Sequence, residues 1–107
     1  MMTAQDGTQK EMPRYKCHKE VWALKIAEIE FFNSDGASMG ASPEPLHGMQ
    51  LGLAIITPVE ENYAPFKVDA EYVRKHKPKV GGYYVVYADG YKSWSPAQAF
   101  EEGYTRI

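Results

Sequence analysis

The sequence predicts an α+β fold: a small antiparallel sheet of about four to five strands with one or two short helices. Three observations carry that expectation. Two Tyr/Val/Trp-rich runs, Tyr83-Tyr84-Val85-Val86-Tyr87 and Tyr91-Lys92-Ser93-Trp94, flank an Asp89-Gly90 pair, which is a strong short hairpin signal. A short apolar run, Leu51-Gly-Leu-Ala-Ile-Ile-Thr57, ends at Pro58 and reads as a buried strand. Two segments carry helix-start signals, one at Asp69 and one at Ser95-Pro96.

Taken in order, residues 1–13 are polar and aperiodic and read as a disordered tail, leaving residues 14–107 as one α+β domain. Tyr15 to Phe32 reads as a long strand. A helix would mix Lys25 and Glu28 into a stripe with Val21 and Leu24. A strand instead puts Trp22, Leu24 and Ile26 on one face and Val21, Ala23, Ala27, Ile29 and Phe31 on the other, with Lys25 interrupting. Asn33 to Gly48, rich in Gly, Pro and Ser, reads as a loop, either a flap or simply flexible, and Val59 to Phe66 as another.

Asp69 caps a helix that runs to about Lys77 and stops at Pro78, with Tyr72, Val73 and His76 on its inner side. In a two-residue turn at Asp89-Gly90, Tyr83, Val85, Tyr87, Lys92 and Trp94 would share one side of the hairpin. Tyr84, Val86, Tyr91 and Ser93 would share the other, and a three-residue turn through Ala88 would change these pairings. The terminal helix has Ser95 as cap, Pro96 in its first turn, Gln98 closing a capping box and Gly103 as a left-handed exit, before a possible last strand from Tyr104 to Ile107.

Composition narrows the function. Over 107 residues, eight Tyr, four Phe and two Trp exceed what half-exposed strands need for their own packing, so ring surface is expected at a partner subunit or a ligand. The net charge of −2 gives no global attraction to nucleic acid or anionic membrane. A single cysteine, Cys17, forms no internal disulfide, and with no run of about 18 apolar residues the expected location is the cytoplasm of a host cell. Cys17 and His18 point to opposite sides of an extended segment, so no metal site is expected, and no cofactor.

Catalytic ingredients are poor, and the chain is not expected to be an enzyme. Glu60-Glu61 and Glu101-Glu102 are sequence neighbours that diverge, His47 sits in a Gly/Pro loop without an orienting acid, and Gly81-Gly82 is too short to cradle phosphate. What remains is aromatic rings beside cations, the combination that holds a nucleotide by stacking and charge. The candidate ligand residues are Tyr84, Tyr91, Lys92, Trp94 and Arg106. The one basic cluster, Arg74, Lys75, His76, Lys77 and Lys79, either complements the helix dipole or meets phosphate.

His18 to Ile26, Tyr63-Ala64-Pro65-Phe66, Gly82 to Pro96 and Ala99-Phe100-Glu101 together resemble a group of small phage and prophage proteins without an established activity. A shorter likeness, through Trp94, Pro96, Phe100 and Tyr104, is to the phage sponges that sequester immune signalling nucleotides, the anti-Thoeris and anti-CBASS proteins. The resemblance implies a non-enzymatic binding protein that holds a small anionic signal, in a self-associating form, to counter host defence. The alternative is a protein-interaction module or a homodimeric inhibitor of a host protein with no small ligand.

Overall fold

The computed structural model describes residues 20–107, so the tail at 1–13, the start of the first strand, Cys17 and His18 lie outside the described residues. The elements are β1 (Val21–Asn33), β2 (Ser38–Gly40), β3 (Leu51–Pro58), β4 (Phe66–Val68), α1 (Ala70–His76), β5 (Tyr83–Tyr87), β6 (Lys92–Ser95) and α2 (Ala97–Gly103). Six antiparallel strands form one sheet in the order β4-β3-β1-β5-β6, with β2 alongside the far end of β1. The α+β reading therefore holds.

β1 is the spine, and a bulge at Ala27 explains its unclean periodicity. Ile26 pairs with Pro58 and Glu28 with Thr57, so Ala27 is an extra residue that reverses the alternation. Ile29 and Phe31 thereby join Ile26 on one face, rather than opposing it as strict alternation predicts. With Ala54, Ile56, Val68, Tyr72 and Val73 they form the core, against which Met39, Leu51, Phe66, Tyr84 and Trp94 pack. The N-terminal half of β1 pairs with β5, from Val21↔Tyr87 to Lys25↔Tyr83, and Trp22 at that end is 64% exposed.

The first predicted loop holds a short strand, β2, and β4 starts on the last residue of the second, Phe66. Asn33 starts the first turn: its buried Oδ1 accepts from the Asp35 and Ala37 N–H groups at 2.9 and 3.0 Å. α1 begins where its cap predicts, with Tyr72 N–H donating to Asp69 Oδ1 at 2.8 Å. It ends at Lys77, held left-handed at φ 48° before Pro78. Tyr72 and Val73 are buried against the core.

The hairpin differs from the two-residue expectation. Tyr87 N–H donates to Tyr91 O at 2.9 Å and Gly90 N–H to Tyr87 O at 2.8 Å, enclosing Ala88-Asp89-Gly90 as a three-residue loop. A two-residue turn of the type an Asp-Gly pair favours needs positive φ at both central residues, and here only Gly90 has it, at 90°. The register shifts by one, giving Tyr84↔Trp94, Val85↔Ser93 and Val86↔Lys92. Tyr84, Val86, Lys92 and Trp94 thus share the core face, and Tyr83, Val85 and Ser93 the other, so the β5 residues keep their predicted grouping and the β6 residues exchange sides.

The C-terminal helix also starts differently. Ser95 still belongs to the ladder opposite Tyr83, so Pro96 occupies the cap position without a side-chain cap bond, and Gln98 donates to Glu102 rather than closing a box. Gly103 lies inside the helix, the exit residue Tyr104 is extended, and residues 104–107 form no strand. α2 packs on the face opposite α1: Phe100 stacks on Tyr83 at 4.2 Å, and Lys25 Nζ and Tyr83 OH both donate to Glu101, at 3.1 and 2.7 Å. The helices therefore flank the sheet on both sides.

Candidate ligand surface at the hairpin tip

The structure divides the five candidate ligand residues among three settings. Tyr84 and Trp94 face each other across β5 and β6 and pack half-buried against the core. Burial, with Asp69 adding, pushes the Tyr84 phenol above its ordinary range. The Trp94 indole lies against Gly82, where a Cβ would overlap the ring, and its N–H has no acceptor among the described residues. Arg106 sits elsewhere, bonded through both terminal nitrogens to Glu60 at 3.1 and 3.2 Å, which raises its already high pKa. Tyr91 and Lys92 stand exposed at the mouth of the hairpin.

α1 brings to Tyr91 residues that the sequence placed in a separate cluster. His76 Nε2 lies 3.3 Å from Tyr91 OH, and the two rings meet edge to face at 5.8 Å. Lys75 Nζ stands 5.2 Å from the Tyr91 ring centre, within cation–π reach. Tyr87 stacks on Tyr91 at 5.9 Å and 16°. The result is a patch of two parallel phenols with Lys75 and His76 beside Tyr91, and Lys92 exposed next to it in the chain.

A run of rings anchors this patch. Phe66, Tyr84, Tyr72, His76, Tyr91 and Tyr87 follow one another at centroid separations of 4.7, 5.6, 5.0, 5.8 and 5.9 Å, from the core to the surface. Tyr72 fixes the middle, since its hydroxyl donates to Ser93 O at 2.7 Å and ties α1 to β6. Desolvation and the neighbouring Lys75 hold the His76 imidazole below its ordinary range, so it is neutral at pH 7. A neutral Nε2 can accept the Tyr91 hydroxyl proton. The sequence signal for this grouping was the Arg74–Lys79 cluster, but which cations meet Tyr91 depends on how α1 crosses the sheet.

Other features serve the fold. An open groove of about 370 Å³ lies between the start of β3 and α1, lined among others by Asn33, Lys67, Asp69 and Arg74. Three of its polar groups are engaged within the fold: Asn33 in its turn, Asp69 as a cap, Arg74 donating to Leu51 O at 2.7 Å. Among the described residues no three His, Cys, Asp or Glu gather as a metal site, and no helix is long and apolar enough to cross a membrane. Comparison with protein-family models, with curated proteins and with solved structures gave no match.

Proposed function

We propose that the protein is a non-enzymatic binding protein that captures a small anionic ligand bearing a flat ring, of nucleotide type, on the surface made by Tyr87, Tyr91, Lys75, His76 and Lys92. One observation carries the reading: the 44% exposed Tyr91 ring has a cation over it and a second phenol parallel to it. Lys75 is exposed on a flexible stem, so a ligand ring that takes its place over Tyr91 keeps the ammonium beside its phosphate. Lys92 follows Tyr91 in the chain and adds a second cation. The C-terminal resemblance to phage nucleotide sponges supports the same ligand class and the same purpose, sequestration of an immune signal against host defence.

Calorimetry with cyclic dinucleotides, ADP-ribose derivatives and a matched uncharged nucleoside tests the proposal. Stacking on an aromatic side chain contributes about 1–3 kcal/mol per base, so Tyr91→Ala should weaken binding by at least about fivefold. Lys75→Ala should weaken the anionic ligands and leave the nucleoside unaffected. Because the His76 pKa is depressed, its charge arrives only as pH falls below the ordinary histidine range, and affinity for the anion should rise in that window. Absence of any heat or thermal shift across the whole panel would overturn the reading.

A further inference from the structure

We infer that two copies of the chain pack face to face through the half of the sheet that no helix of the described residues covers, related by a two-fold axis running along β3. α1 covers the face bearing Ile29, Phe31, Ala54 and Ile56. The alternating residues Phe32, Leu53, Ile55 and Thr57 point the other way and are only half-buried. α2 lies on that side but packs on Lys25, before the bulge in β1, and on its β5 partner Tyr83. An apolar sheet face of this kind is ordinarily closed by a second layer.

The charges on this face indicate what closes it. Glu30 pairs with Ile55, and Ile55 with Lys67, so one row across β1, β3 and β4 reads acid, apolar, base. Both charged residues are exposed, and Ser38 Oγ orients Glu30 by donating to its Oε2 at 2.7 Å. A sheet stacked on its own copy can use either of two in-plane two-fold axes. An axis across the strands sets Glu30 over Glu30 and Lys67 over Lys67. An axis along β3 exchanges the two sides of the row and sets each Glu30 over the Lys67 of the second copy, twice, with Ile55 on Ile55 between them. Glu28, on the same face beside Thr57, is carried to the β4 side, where no carboxylate of the row opposes it. The surface is therefore self-complementary in one orientation, as an isologous interface requires. Aligned sheets pack about 10 Å apart, close enough for those side chains to meet.

The inference concerns a different face from the ligand surface, and its test needs no ligand. Sedimentation equilibrium of the full chain should give a dimer mass. Ile55→Glu should give a monomer with an unchanged far-UV spectrum. Glu30→Lys and Lys67→Glu should each weaken the dimer about tenfold or more, and the double exchange should restore it; both positions are exposed, so this cycle decides even if Ile55→Glu impairs folding. A monomer at every concentration would overturn the inference and assign the face to another occupant, such as residues 1–19 or a host protein. A dimer indifferent to Ile55→Glu would overturn it too, and a double exchange weaker than either single would overturn the axis.

Discussion

Tyr72→Phe isolates the bond that fastens α1 to the edge of the sheet. The Tyr72 hydroxyl donates to Ser93 O at 2.7 Å from a residue only 6% exposed. Phenylalanine keeps the ring contacts with Tyr84 and His76, at 5.6 and 5.0 Å, and loses the donor alone. Ser93 is not left with an unpaired acceptor. Tyr87 and Tyr91 form a hydrogen-bonded pair, so Val85 and Ser93, two residues further along each strand, form the next one, and Ser93 O keeps the Val85 N–H. The cost is the net value of one hydrogen bond, about 1 kcal/mol, without the further penalty of an orphaned carbonyl. A change of that size lowers the thermal midpoint of a domain this small by roughly 4–8 °C.

The same hydroxyl titrates, which gives the prediction a second arm. Burial, and then the neighbouring Tyr84, raise the Tyr72 pKa above its ordinary value of 10.0. A raised folded pKa means that the stabilisation is fully present below pH 10 and is lost as pH climbs from there toward the folded value. Each pH unit in that interval costs the wild type up to about 1.4 kcal/mol from this group, and Tyr72→Phe escapes that slope. Tyr83 and Tyr84 are raised as well and remain in both proteins, so both curves fall, the wild type more steeply. Urea titrations at neutral pH and at several values above 10 should show the two stabilities converging and crossing within about one pH unit. A loss above about 3 kcal/mol at neutral pH, or a difference that stays constant into the alkaline range, would refute the assignment of the bond.

Two further perturbations test the geometry elsewhere. A Cβ at Gly52 would strike the Asn33 backbone carbonyl, which cannot swing aside, whereas one at Gly82 would strike the Trp94 indole, which can. Gly52→Ala should therefore cost about 3 kcal/mol or more in urea unfolding, and Gly82→Ala about 1–3 kcal/mol with altered tryptophan fluorescence. Equal costs would contradict the close approach of β3 to β1. Hydrogen bonds from Tyr83 and Lys25 hold the Glu101 carboxyl below its ordinary value of 4.5, so its hold on α2 is present above that pH and is lost as pH falls through the lowered value. Amide exchange in α2 should quicken over that acidic range in the wild type and be fast at all pH in Glu101→Gln; an α2 equally protected in both would show that Phe100 and Tyr104 suffice.

What the sequence disclosed follows from which residues act alone. Asp69 is a cap whatever surrounds it, because its bond to Tyr72 N–H closes within three residues, and α1 was legible from that residue and Pro78. The strand run in β3 was legible because it is a short apolar run that Pro58 ends, and in the structure every second residue of it is buried. The hairpin was legible as a hairpin but not in register, since Asp89 Oδ1 accepts from Tyr91 N–H at 2.9 Å and favours a loop with one left-handed residue rather than two. β4 has three residues with Lys67 in the middle, too short to show a period, and exists because Ala54 to Ile56 offer it an edge. Tyr84 and Trp94 were selected for their rings, and the one-residue shift put Trp94 opposite Tyr84 on the core face while leaving Tyr91 outside.

The bulge at Ala27 links these results. Without the extra residue, a 13-residue strand would carry Trp22, Leu24 and Ile26 on one face and Ile29 and Phe31 on the other, and no single helix could cover both sets. The inserted residue collects Ile26, Ile29 and Phe31 under α1, and sends Glu28, Glu30 and Phe32 to the far side. α1 then spans from the Ile56 region to Ser93, which is how Lys75 and His76 come to stand beside Tyr91 at the hairpin tip. On the far side α2 meets β1 through Lys25, before the bulge, and no helix of the described residues covers the part after it. The proposed ligand surface and the proposed dimer face thus depend on one inserted residue. They nevertheless occupy opposite edges of the sheet, β5-β6 against β4-β3, and share no residue, so the occupation of one should leave the energetics of the other unchanged.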